Sequence, residues 1–402
     1  MKTNIKIVAA LVAVSALTLA GCSSSTTSSE STTAAASAAA TSAAASAAPA
    51  SSAAASAAAS MAASTAASSA GASAASTAGA GMKACEVTDV GGVDDKGFNA
   101  KAWKGVQDAA AQLGVEANLL ESKTETDYAP NIQAFVDQAC SIIVTVGFLL
   151  GDATKAAANA NPDIPFSIVD YAYADGDIKN NNVLGQVFNT DEAAFLAGYL
   201  AAGMTKTGKV GTFGGVNIPP VTIFMDGFYN GVQKYNADNG TKVEVLGWDP
   251  AKPKQGLFTG NFDKTDDGKT FAQNLVDEGA DIVMPVAGPV GLGSAALAKQ
   301  LGPDKLMIIG VDSDQNLSDT ANASVYLTSV LKNMDVTTFN AIKSVVDGTF
   351  KGGVTTGTLA NGGVGLAPYH DFDAKVPADL KAKIEALKAG IIDGSVSVKP
   401  AQ

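Results

Sequence analysis

The sequence predicts an α/β protein made of two similar lobes, each a doubly wound parallel sheet, with a central cleft between them. From residue 83 onward, short β-branched runs alternate with helix-length amphipathic segments, which is typical of sheets built from β-α-β units. The same series of runs occurs twice along the chain. Both halves place glycines, aspartates and phenylalanines at predicted strand ends, where ligands of open parallel sheets bind. We therefore expect the cleft to be a binding site.

Ten segments have the length and composition of strands, and several segments between them have helical periodicity. In the first predicted helix, Ala102, Val106, Ala109 and Leu113 recur on one face. The predicted strands are residues 84–90, 115–120, 141–147, 165–170, 183–188, 209–214, 242–248, 280–286, 306–311 and 325–330.

An internal repeat relates the two halves. The matched segments are "AWKGVQDAA" (102–110) with "FYNGVQKYN" (228–236), "NIQAFVDQACSIIVTVG" (131–147) with "FAQNLVDEGADIVMPVAG" (271–288), and "PFSIVDYA" (165–172) with "LMIIGVDS" (306–313). Because the same β-α series is repeated, we predict two lobes of one architecture with a ligand cleft between them.

The first 22 residues have the layout of an export signal. Two lysines precede an apolar run, residues 7–19, that is too short for an ordinary membrane span and leads into Leu-Ala-Gly-Cys. This ending resembles the signal of bacterial lipoproteins, which implies cleavage before Cys22 and its lipidation. We therefore predict an extracytoplasmic protein anchored to the cell membrane by acyl chains on Cys22. An ordinary secretory signal with an incidental cysteine is the alternative.

Residues 23–81 are almost wholly Ala, Ser and Thr. Ser and Thr compete for backbone hydrogen bonds, and a segment without large side chains cannot offset the entropy lost on ordering. We interpret this segment as a disordered tether between the anchor and the folded part. The predicted lobe I comprises residues 82–188 and 325–350, and the predicted lobe II comprises residues 189–324 and 351–402.

The composition excludes several classes of function. The chain has 402 residues and a formal net charge of -12, and all its cationic side chains are lysines, so it offers no basic face for nucleic acid. His370 is the only histidine and no Cys-x-x-Cys spacing occurs, so we expect neither a metal site nor a cofactor. We expect a monomer that does not bind nucleic acid.

Cys85 and Cys140 each stand at the start of an apolar, strand-like run. An oxidising compartment permits a disulfide between neighbouring parallel strands, and two buried free thiols are the alternative. The sequence leaves both possibilities open.

The stretch "VTDVGGVDDKGFNAKAWKGV" (87–106) places a glycine-rich acidic loop between a predicted strand and a predicted helix. A phosphate cradle would need a G-x-G-x-x-G or Lys-Ser/Thr pattern, and neither occurs. Asp89, Asp94 and Asp95 would repel a phosphate, so a neutral ligand with hydroxyl or amine groups fits better. Capping of the following helix is the structural alternative for Asp94 or Asp95.

Paired carboxylates also serve glycoside hydrolysis, so a hydrolase is the enzymatic alternative. No Ser, His or Cys constellation supports it, and His370 lies far along the chain from the acidic loop. We predict that the protein is not an enzyme.

Phe98 and Phe262 are loop aromatics in polar surroundings, each shortly before a predicted helix. A hydrophobic staple at the helix start is the structural interpretation. The functional interpretation is a pair of stacking platforms, one from each half, on the two faces of a planar base. Each stack would contribute about 1 to 3 kcal/mol.

Further cleft candidates lie at strand ends of both halves. Asp170 and Asp312 occupy matching strand ends, where an ionised side chain is rarely part of a core. Lys332 ends the strand "VYLTSVLK", either as a solvated surface lysine or as a donor that shares a diol with Asp312. Gly293 completes the set.

Five stretches resemble the basic membrane protein family of bacterial lipoproteins, the purine nucleoside receptor group of ABC importers. They are "VTDVGGVDDKGFNAKAWKGV", "NTDEAAFLAGYLAAGMTKTGKVGTFGG", "VDEGADIVMPVAGPVGLG", "IIGVDSDQ" and "VLKNMD". The resemblance extends from about residue 83 to about residue 398 and keeps the family's order.

The resemblance implies a type I periplasmic-binding-protein fold, with two lobes joined by three crossing strands. It implies that Asp89 hydrogen-bonds a purine base, that Phe98 and Phe262 stack on its two faces, and that Asn99 adds a polar contact. The base edge or the ribose hydroxyls would be held by Asp170, Gly293, Asp312 and Lys332.

The resemblance also implies the partners. A purine nucleoside is the expected ligand, and an ABC permease with its ATPase receives it after hinge closure of the lobes. A sugar or another small polar solute is the alternative ligand, because one aromatic face and several Asp and Asn contacts would suffice. A surface receptor or antigen without a transport role is the third possibility.

Overall fold

The computed structural model of the protein describes residues 77–399. The predicted signal, the predicted lipidation site Cys22 and the predicted tether up to residue 76 lie outside the described residues. Within residues 77–399, no helix combines the length and hydropathy that a bilayer crossing requires. These residues form two six-stranded sheets interleaved with helices.

Twelve strands and ten α-helices lie in the described part of the chain. The strands are β1 (Lys83–Val87), β2 (Glu116–Leu120), β3 (Ile142–Val146), β4 (Phe166–Val169), β5 (Val183–Phe188), β6 (Lys209–Gly214), β7 (Glu244–Leu246), β8 (Ile282–Val286), β9 (Met307–Asp312), β10 (Tyr326–Lys332), β11 (Gly353–Gly357) and β12 (Val364–Leu366). The helices are α1 (Phe98–Leu113), α2 (Tyr128–Asp137), α3 (Gly151–Ala160), α4 (Thr190–Met204), α5 (Pro219–Asn239), α6 (Thr265–Asp277), α7 (Val290–Leu301), α8 (Gln315–Ser318), α9 (Met334–Val346) and α10 (Ala378–Asp393).

The two sheets repeat one strand order. The first runs β2-β1-β3-β4-β5-β11 and the second runs β7-β6-β8-β9-β10-β12. Among the described strand pairs, only β10 with β12 is antiparallel. The matched sequence segments occupy equivalent elements, α1 with α5, β3 with β8 and β4 with β9, so the predicted duplication is confirmed.

The central strands are apolar because both of their faces are covered. Every residue of β3 and of β8 is buried. In the second lobe, α4 packs closely on α5 through glycines: a Cβ atom on Gly198 would lie 2.0 Å from Phe228 O, and one on Gly231 would lie 1.9 Å from Phe195 O. A larger residue at either position would force these two helices apart.

Three segments of chain cross between the lobes. β5 of the first sheet leads into α4, which packs on β10 and β12, and β10 of the second sheet leads into α9, which packs on α1. The third crossing joins β11 of the first sheet to β12 of the second. Asn189 N donates to Gly357 O (2.8 Å) and Asn333 N donates to Gly363 O (2.9 Å), so the crossings are tied to one another. They are the connections between the two lobes.

The sheets depart from the predicted lobe boundaries at two strands. β10 lies within the predicted lobe I segment 325–350 but pairs with β9 in the second sheet. β11 lies within the predicted lobe II segment 351–402 but pairs with β5 in the first sheet. Both strands adjoin crossings, and a local pattern shows that a strand forms without showing which sheet it joins. β11 and β12 are absent from the predicted strands because both contain glycine, which is depleted in strands, and β12 has only three residues.

Cys85 in β1 and Cys140, just before β3, are joined by a disulfide with a Cα–Cα distance of 6.1 Å. β1 and β3 are neighbouring parallel strands. Of the two alternatives that the sequence left open, a disulfide or two free thiols, the structure therefore has the disulfide.

Candidate functional site

A cavity lies between the two lobes, at the carboxyl ends of their strands. About 580 Å³ of it is not filled by atoms, including the part open to solvent. The predicted residues in its lining are Asp89, Phe98, Asn99, Asp170, Phe262, Asp312 and Lys332.

Asp89 follows β1 in the glycine-rich loop and is 7% exposed. Its Oδ1 accepts hydrogen bonds from Asn99 Nδ2 (2.7 Å) and Gly91 N (2.9 Å). Asn99 Oδ1 in turn accepts a hydrogen bond from Asp89 N at 3.2 Å. No described residue donates to Oδ2 of Asp89, so this oxygen can accept a hydrogen bond from a ligand.

Asn99 uses both amide hydrogens to hold carboxylates. Besides Asp89, its Nδ2 contacts Asp95 Oδ2 at 3.1 Å. Asp95 also accepts hydrogen bonds from the backbone N–H groups of Gly97, Asn99 and Ala100 at the start of α1, so the helix-capping interpretation of Asp95 is confirmed. The direct polar contact expected of Asn99 is therefore restricted to its carbonyl oxygen, and its main role is to position Asp89.

Asp170 and Asp312 occupy equivalent sites in the two lobes. Asp170 follows β4, Asp312 ends β9, and both have a φ angle of 68°. This left-handed backbone conformation is costly for a residue with a Cβ atom, although Asp tolerates it better than most. Its occurrence at both strand ends turns two carboxylates toward the same cavity.

Lys332 is buried, which excludes the solvated-lysine alternative. Its ammonium lies 2.5 Å from Asp170 Oδ2. The ammonium also lies 4.8 Å from the centre of the Phe98 ring and 5.3 Å from that of Phe188, within the range of cation–π attraction. The ion-pair partner of Lys332 is thus Asp170, which the sequence did not predict, and the expected sharing of a ligand diol between Lys332 and Asp312 stays a prediction. Since Lys332 ends β10 and Asp170 follows β4, this pair joins the two lobes.

Asp312 is 7% exposed, and no described residue donates a hydrogen bond to its carboxylate. Burial raises the pKa of Asp312 to about 7, against the lowering effect of the Lys332 ammonium. Burial also raises the pKa of Asp89 to about 6, opposed by its hydrogen bonds from Asn99 and Gly91. Donor groups of a ligand would stabilise the ionised forms of both carboxylates.

Phe98 and Phe262 line this one cavity from different lobes. Phe98 is the first residue of α1, Phe262 shortly precedes α6, and both are partly buried. A Cβ atom on Gly215 would lie 2.3 Å from Phe262 Cε1, and one on Gly147 would lie 3.6 Å from Phe98 Cε1. The absence of a side chain at Gly215 leaves space for the Phe262 ring, whereas a Cβ atom on Gly147 would make only an ordinary contact with the Phe98 ring.

Two contacts hold the lobes together beside the cavity. Ser318 Oγ of α8 donates to Lys96 O at 2.7 Å, and Ser313 Oγ contacts Gly97 O at 3.5 Å. Lys96 and Gly97 belong to the loop that leads into α1, so these contacts close the acidic loop of one lobe onto the other.

Gly293 is the one predicted ligand residue that the structure places elsewhere. It lies in α7, where a Cβ atom would be 1.8 Å from Thr265 O of α6. The absence of a side chain at Gly293 allows α6 and α7 to pack closely. Gly293 therefore serves helix packing, and the predicted ligand contact is corrected. The glycines in the cavity lining are Gly147 and Gly288.

Several apolar lining residues were not predicted from the sequence. Phe148 follows β3, and Phe224 is a buried residue of α5. Apolar side chains in apolar segments cannot be distinguished from core residues by pattern alone. The available signal was the Pro219-Pro220 pair, which opens α5 just after a strand end.

The described lining combines carboxylates, one amide, one ammonium and apolar side chains, and contains no Ser, Thr, Cys, Tyr or His. Carboxylates accept hydrogen bonds from hydroxyl and amine groups, and aromatic faces stack on flat rings. The arrangement is suited to a neutral molecule that has a flat part and several donors.

Comparison with known proteins agrees with this geometry. The family model Bmp, described as ABC transporter substrate-binding protein PnrA-like, matches residues 82–400. The chain is 33% identical over 337 residues to the ABC transporter nucleoside-binding protein BmpA of Lactococcus lactis subsp. cremoris. The aligned region covers 79% of this chain and 89% of that protein. The chain is 32% identical over 328 residues to the CD4+ T-cell-stimulating antigen of Listeria monocytogenes, and this aligned region covers 78% of this chain and 86% of the antigen.

A solved structure shares the fold. The crystal structure of an ABC transporter solute-binding protein from Aeropyrum pernix K1 has a TM-score of 0.71 and 27% sequence identity, covering 79% of this chain and 92% of that chain. The predicted fold class, two α/β lobes joined by three crossing segments, is confirmed.

Proposed function

We propose that this chain, which belongs to the Bmp family of PnrA-like ABC transporter substrate-binding proteins, captures a purine nucleoside between its lobes and delivers it to a membrane permease. Family membership gives the coarser function, an extracytoplasmic, non-enzymatic solute-binding component of an ABC transporter. The nucleoside, the delivery step and the lipid anchor belong to the proposal.

One observation carries the choice of ligand: Phe98 of one lobe and Phe262 of the other line the same cavity as the carboxylates of Asp89 and Asp312. The two rings stack on opposite faces of the base, and Asp89 accepts a hydrogen bond from an N–H group at its edge. A sugar has no aromatic face, so it could pack C–H groups on the two rings but could not stack on them as a base does.

The hydroxyl groups of the ribose lie at the other polar cluster. Lys332 donates to a hydroxyl oxygen, and the carboxylates of Asp170 and Asp312 accept hydroxyl protons. Asp312 has no donor among the described residues, so a ligand hydroxyl satisfies a buried acceptor that is otherwise unpaired.

The charge of the lining favours nucleosides over nucleotides. Asp89, Asp95, Asp170 and Asp312 face a single ammonium, that of Lys332, which Asp170 already neutralises. A phosphate would enter a poorly solvated site with surplus negative charge, where like-charge repulsion is strong.

Capture and delivery require the two lobes to close on the ligand. The ligand contacts residues of both lobes and therefore stabilises the closed arrangement, which the Ser318–Lys96 contact also favours. The permease and its ATPase receive the ligand from this closed form.

Lipidation of Cys22 keeps the protein at the membrane. The test is the distribution of the protein between membrane and culture medium for the wild type and for Cys22→Ser. We expect the wild type in the membrane fraction and the variant in the medium. A wild type released as completely as the variant would exclude the anchor.

The Listeria relative is named as an antigen, which gives a surface-antigen role one specific observation in its favour. Such a role needs neither a permease nor a closed cavity. Uptake of a labelled nucleoside by cells with and without the gene separates the two, because only the transport function predicts that uptake falls when the gene is deleted.

The ligand itself can be identified by mass spectrometry. Protein purified without added ligand is denatured, and the released small molecules are compared with those from Phe98→Ala protein. We expect a purine nucleoside from the wild type and less of it from the variant. A sugar released in stoichiometric amount would overturn the proposed ligand class.

A further inference from the structure

A second compartment adjoins the proposed nucleoside cavity near the connections between the lobes. It meets the cavity at the Asp170–Lys332 ion pair, which lines both spaces. The rings of Phe98 and Phe262 line only the first cavity. The walls of the compartment are mainly apolar and come from both lobes: Phe148, Val187, Phe188, Pro219, Pro220 and Ile223.

Thr190, the first residue of α4, also lines this compartment. It is 1% exposed, and its Oγ1 is buried without a hydrogen-bond partner among the described residues. Leaving a buried hydroxyl unpaired costs about 1 to 3 kcal/mol. Beyond the ion pair, Thr190 supplies the only polar side chain in the described lining, so the compartment is otherwise apolar.

The compartment has an outlet. Ala172 and Pro219, at its rim, are exposed, whereas Thr190 and Phe188 are buried. A group that extends from the main cavity past the ion pair would therefore be enclosed first and would meet solvent only at its far end.

The position of the ion pair relates the compartment to one part of the ligand. In the proposed function, on which this inference rests, the base stacks between Phe98 and Phe262 and the ribose lies against Asp170 and Lys332. The end of the ribose that is remote from the base then points past the ion pair, and that end carries the 5′ carbon.

We propose that this compartment binds an apolar substituent on the 5′ carbon, so that the protein accepts nucleosides with a small 5′-alkylthio group as well as the parent nucleosides. Phe148, Phe188 and Ile223 enclose the alkyl group. A 5′-phosphate is disfavoured on the same path, because its charge would enter an apolar compartment whose one ammonium is already paired with Asp170.

The test is titration calorimetry with two matched pairs, adenosine with 5′-deoxy-5′-methylthioadenosine, and inosine with 5′-deoxy-5′-methylthioinosine. Replacing the hydroxyl by a buried methylthio group adds apolar contact worth up to about tenfold in affinity. We expect the methylthio member of a pair whose parent binds to bind at least as tightly as that parent. Weaker binding of the methylthio member would overturn the inference.

A variant that fills the compartment sharpens the test. Ile223 lines the compartment and does not line the main cavity. Ile223→Trp therefore places a large ring in the compartment alone. We expect the methylthio ligand to lose tenfold or more in affinity and the parent to change less than twofold. Equal losses for both ligands would overturn the inference. Thr222→Trp, at the neighbouring position of α5, is the control and should affect neither ligand.

Val187→Phe fills the compartment from the first lobe and replaces Ile223→Trp if that variant does not fold. The parent nucleosides report on the proposed function separately. If neither parent binds, the nucleoside function and this inference both fail, whereas binding of the parents alone rejects only the compartment.

Discussion

The ammonium of Lys332 and the carboxylate of Asp170 form a buried ion pair, 2.5 Å apart, with side-chain exposures of 3% and 8%. The two residues belong to different lobes, so this pair links the sheets at the floor of the cavity. Burial raises the pKa of Asp170 and the Lys332 ammonium lowers it, so the carboxylate depends on this lysine to stay ionised.

Loss of Lys332 should therefore cost more than loss of a surface lysine. We expect Lys332→Met to lower the free energy of unfolding by about 3 to 5 kcal/mol, because it leaves a buried carboxylate unpaired. Urea denaturation at pH 8 measures this. The control is Lys343→Met, which removes an exposed pair with Asp347 and should change the stability by no more than about 1 kcal/mol.

The double variant Lys332→Met/Asp170→Asn removes both charges and keeps a residue type that tolerates the left-handed backbone at position 170. It should recover much of the lost stability, because no unpaired charge remains. A double variant as unstable as Lys332→Met would contradict the assignment of the penalty to the unpaired carboxylate.

Truncation of either stacking ring should weaken ligand binding. We expect Phe98→Ala and Phe262→Ala each to reduce the affinity for a purine nucleoside by about 1 to 3 kcal/mol, the value of one base–aromatic stack. Phe271→Ala is the matched control, since Phe271 packs against Phe213 at 5.4 Å between ring centres, away from the cavity. It should lower the melting temperature without changing the affinity. Unchanged affinity in Phe98→Ala would remove Phe98 from the site.

The sequence predicted the parts of the site that the repeat makes visible. Asp170 and Asp312 stand out because each ends the same strand of its lobe, and the structure gives both the same φ of 68°. Phe98 and Phe262 stand out because aromatic residues are unusual in glycine-rich, acidic loops. In each case the residue type is unusual for its neighbours in the sequence, and such a local mismatch can be recognised from the sequence alone.

The remaining features depend on long-range packing. Gly293 looks like a loop glycine near the cavity, but its lack of a side chain serves the contact between α7 and Thr265. Phe224 and Phe148 look like core residues, and only the meeting of two lobes turns them into a cavity wall. The sheet membership of β10 and β11 depends on where the chain crosses, which no local pattern records.

Ligand binding should release protons near pH 6.5. The pKa of Asp312 is about 7 and that of Asp89 is about 6, so both carboxylates are partly protonated in the protein without ligand. Hydrogen bonds donated by a ligand favour the ionised forms and lower both pKa values. The affinity should therefore rise as the pH rises from 5.5 to about 7.5. Calorimetry in two buffers of different ionisation enthalpy measures the protons released.

Asp312→Asn is the matched variant, because its side chain has the same shape and does not titrate. It should release fewer protons than the wild type on binding, and a wild type that takes up protons would contradict the proposed donor–acceptor contacts. Since a raised pKa means that the folded state holds protons that the unfolded state has lost, the stability of the ligand-free protein should fall as the pH rises from about 4 to 7. This fall should be smaller in Asp312→Asn.

The disulfide between Cys85 and Cys140 can be tested on the Cys22→Ser protein, in which these are the two remaining cysteines. Thiol titration of the unfolded, unreduced protein should find no reactive thiol, and titration after reduction should find both. Reduction should lower the stability by about 2 to 4 kcal/mol, because the unfolded chain regains conformational freedom. Two reactive thiols before reduction would show that the bond does not form.

The central claim is that two phenylalanine rings, one from each lobe, hold a flat neutral base between them. Titration calorimetry of the wild-type protein with guanosine, adenosine, inosine and ribose tests it most directly. Two stacked faces contribute about 2 to 6 kcal/mol together, so at least one nucleoside should bind more than tenfold more tightly than ribose. Ribose binding as tightly as every nucleoside would contradict the account.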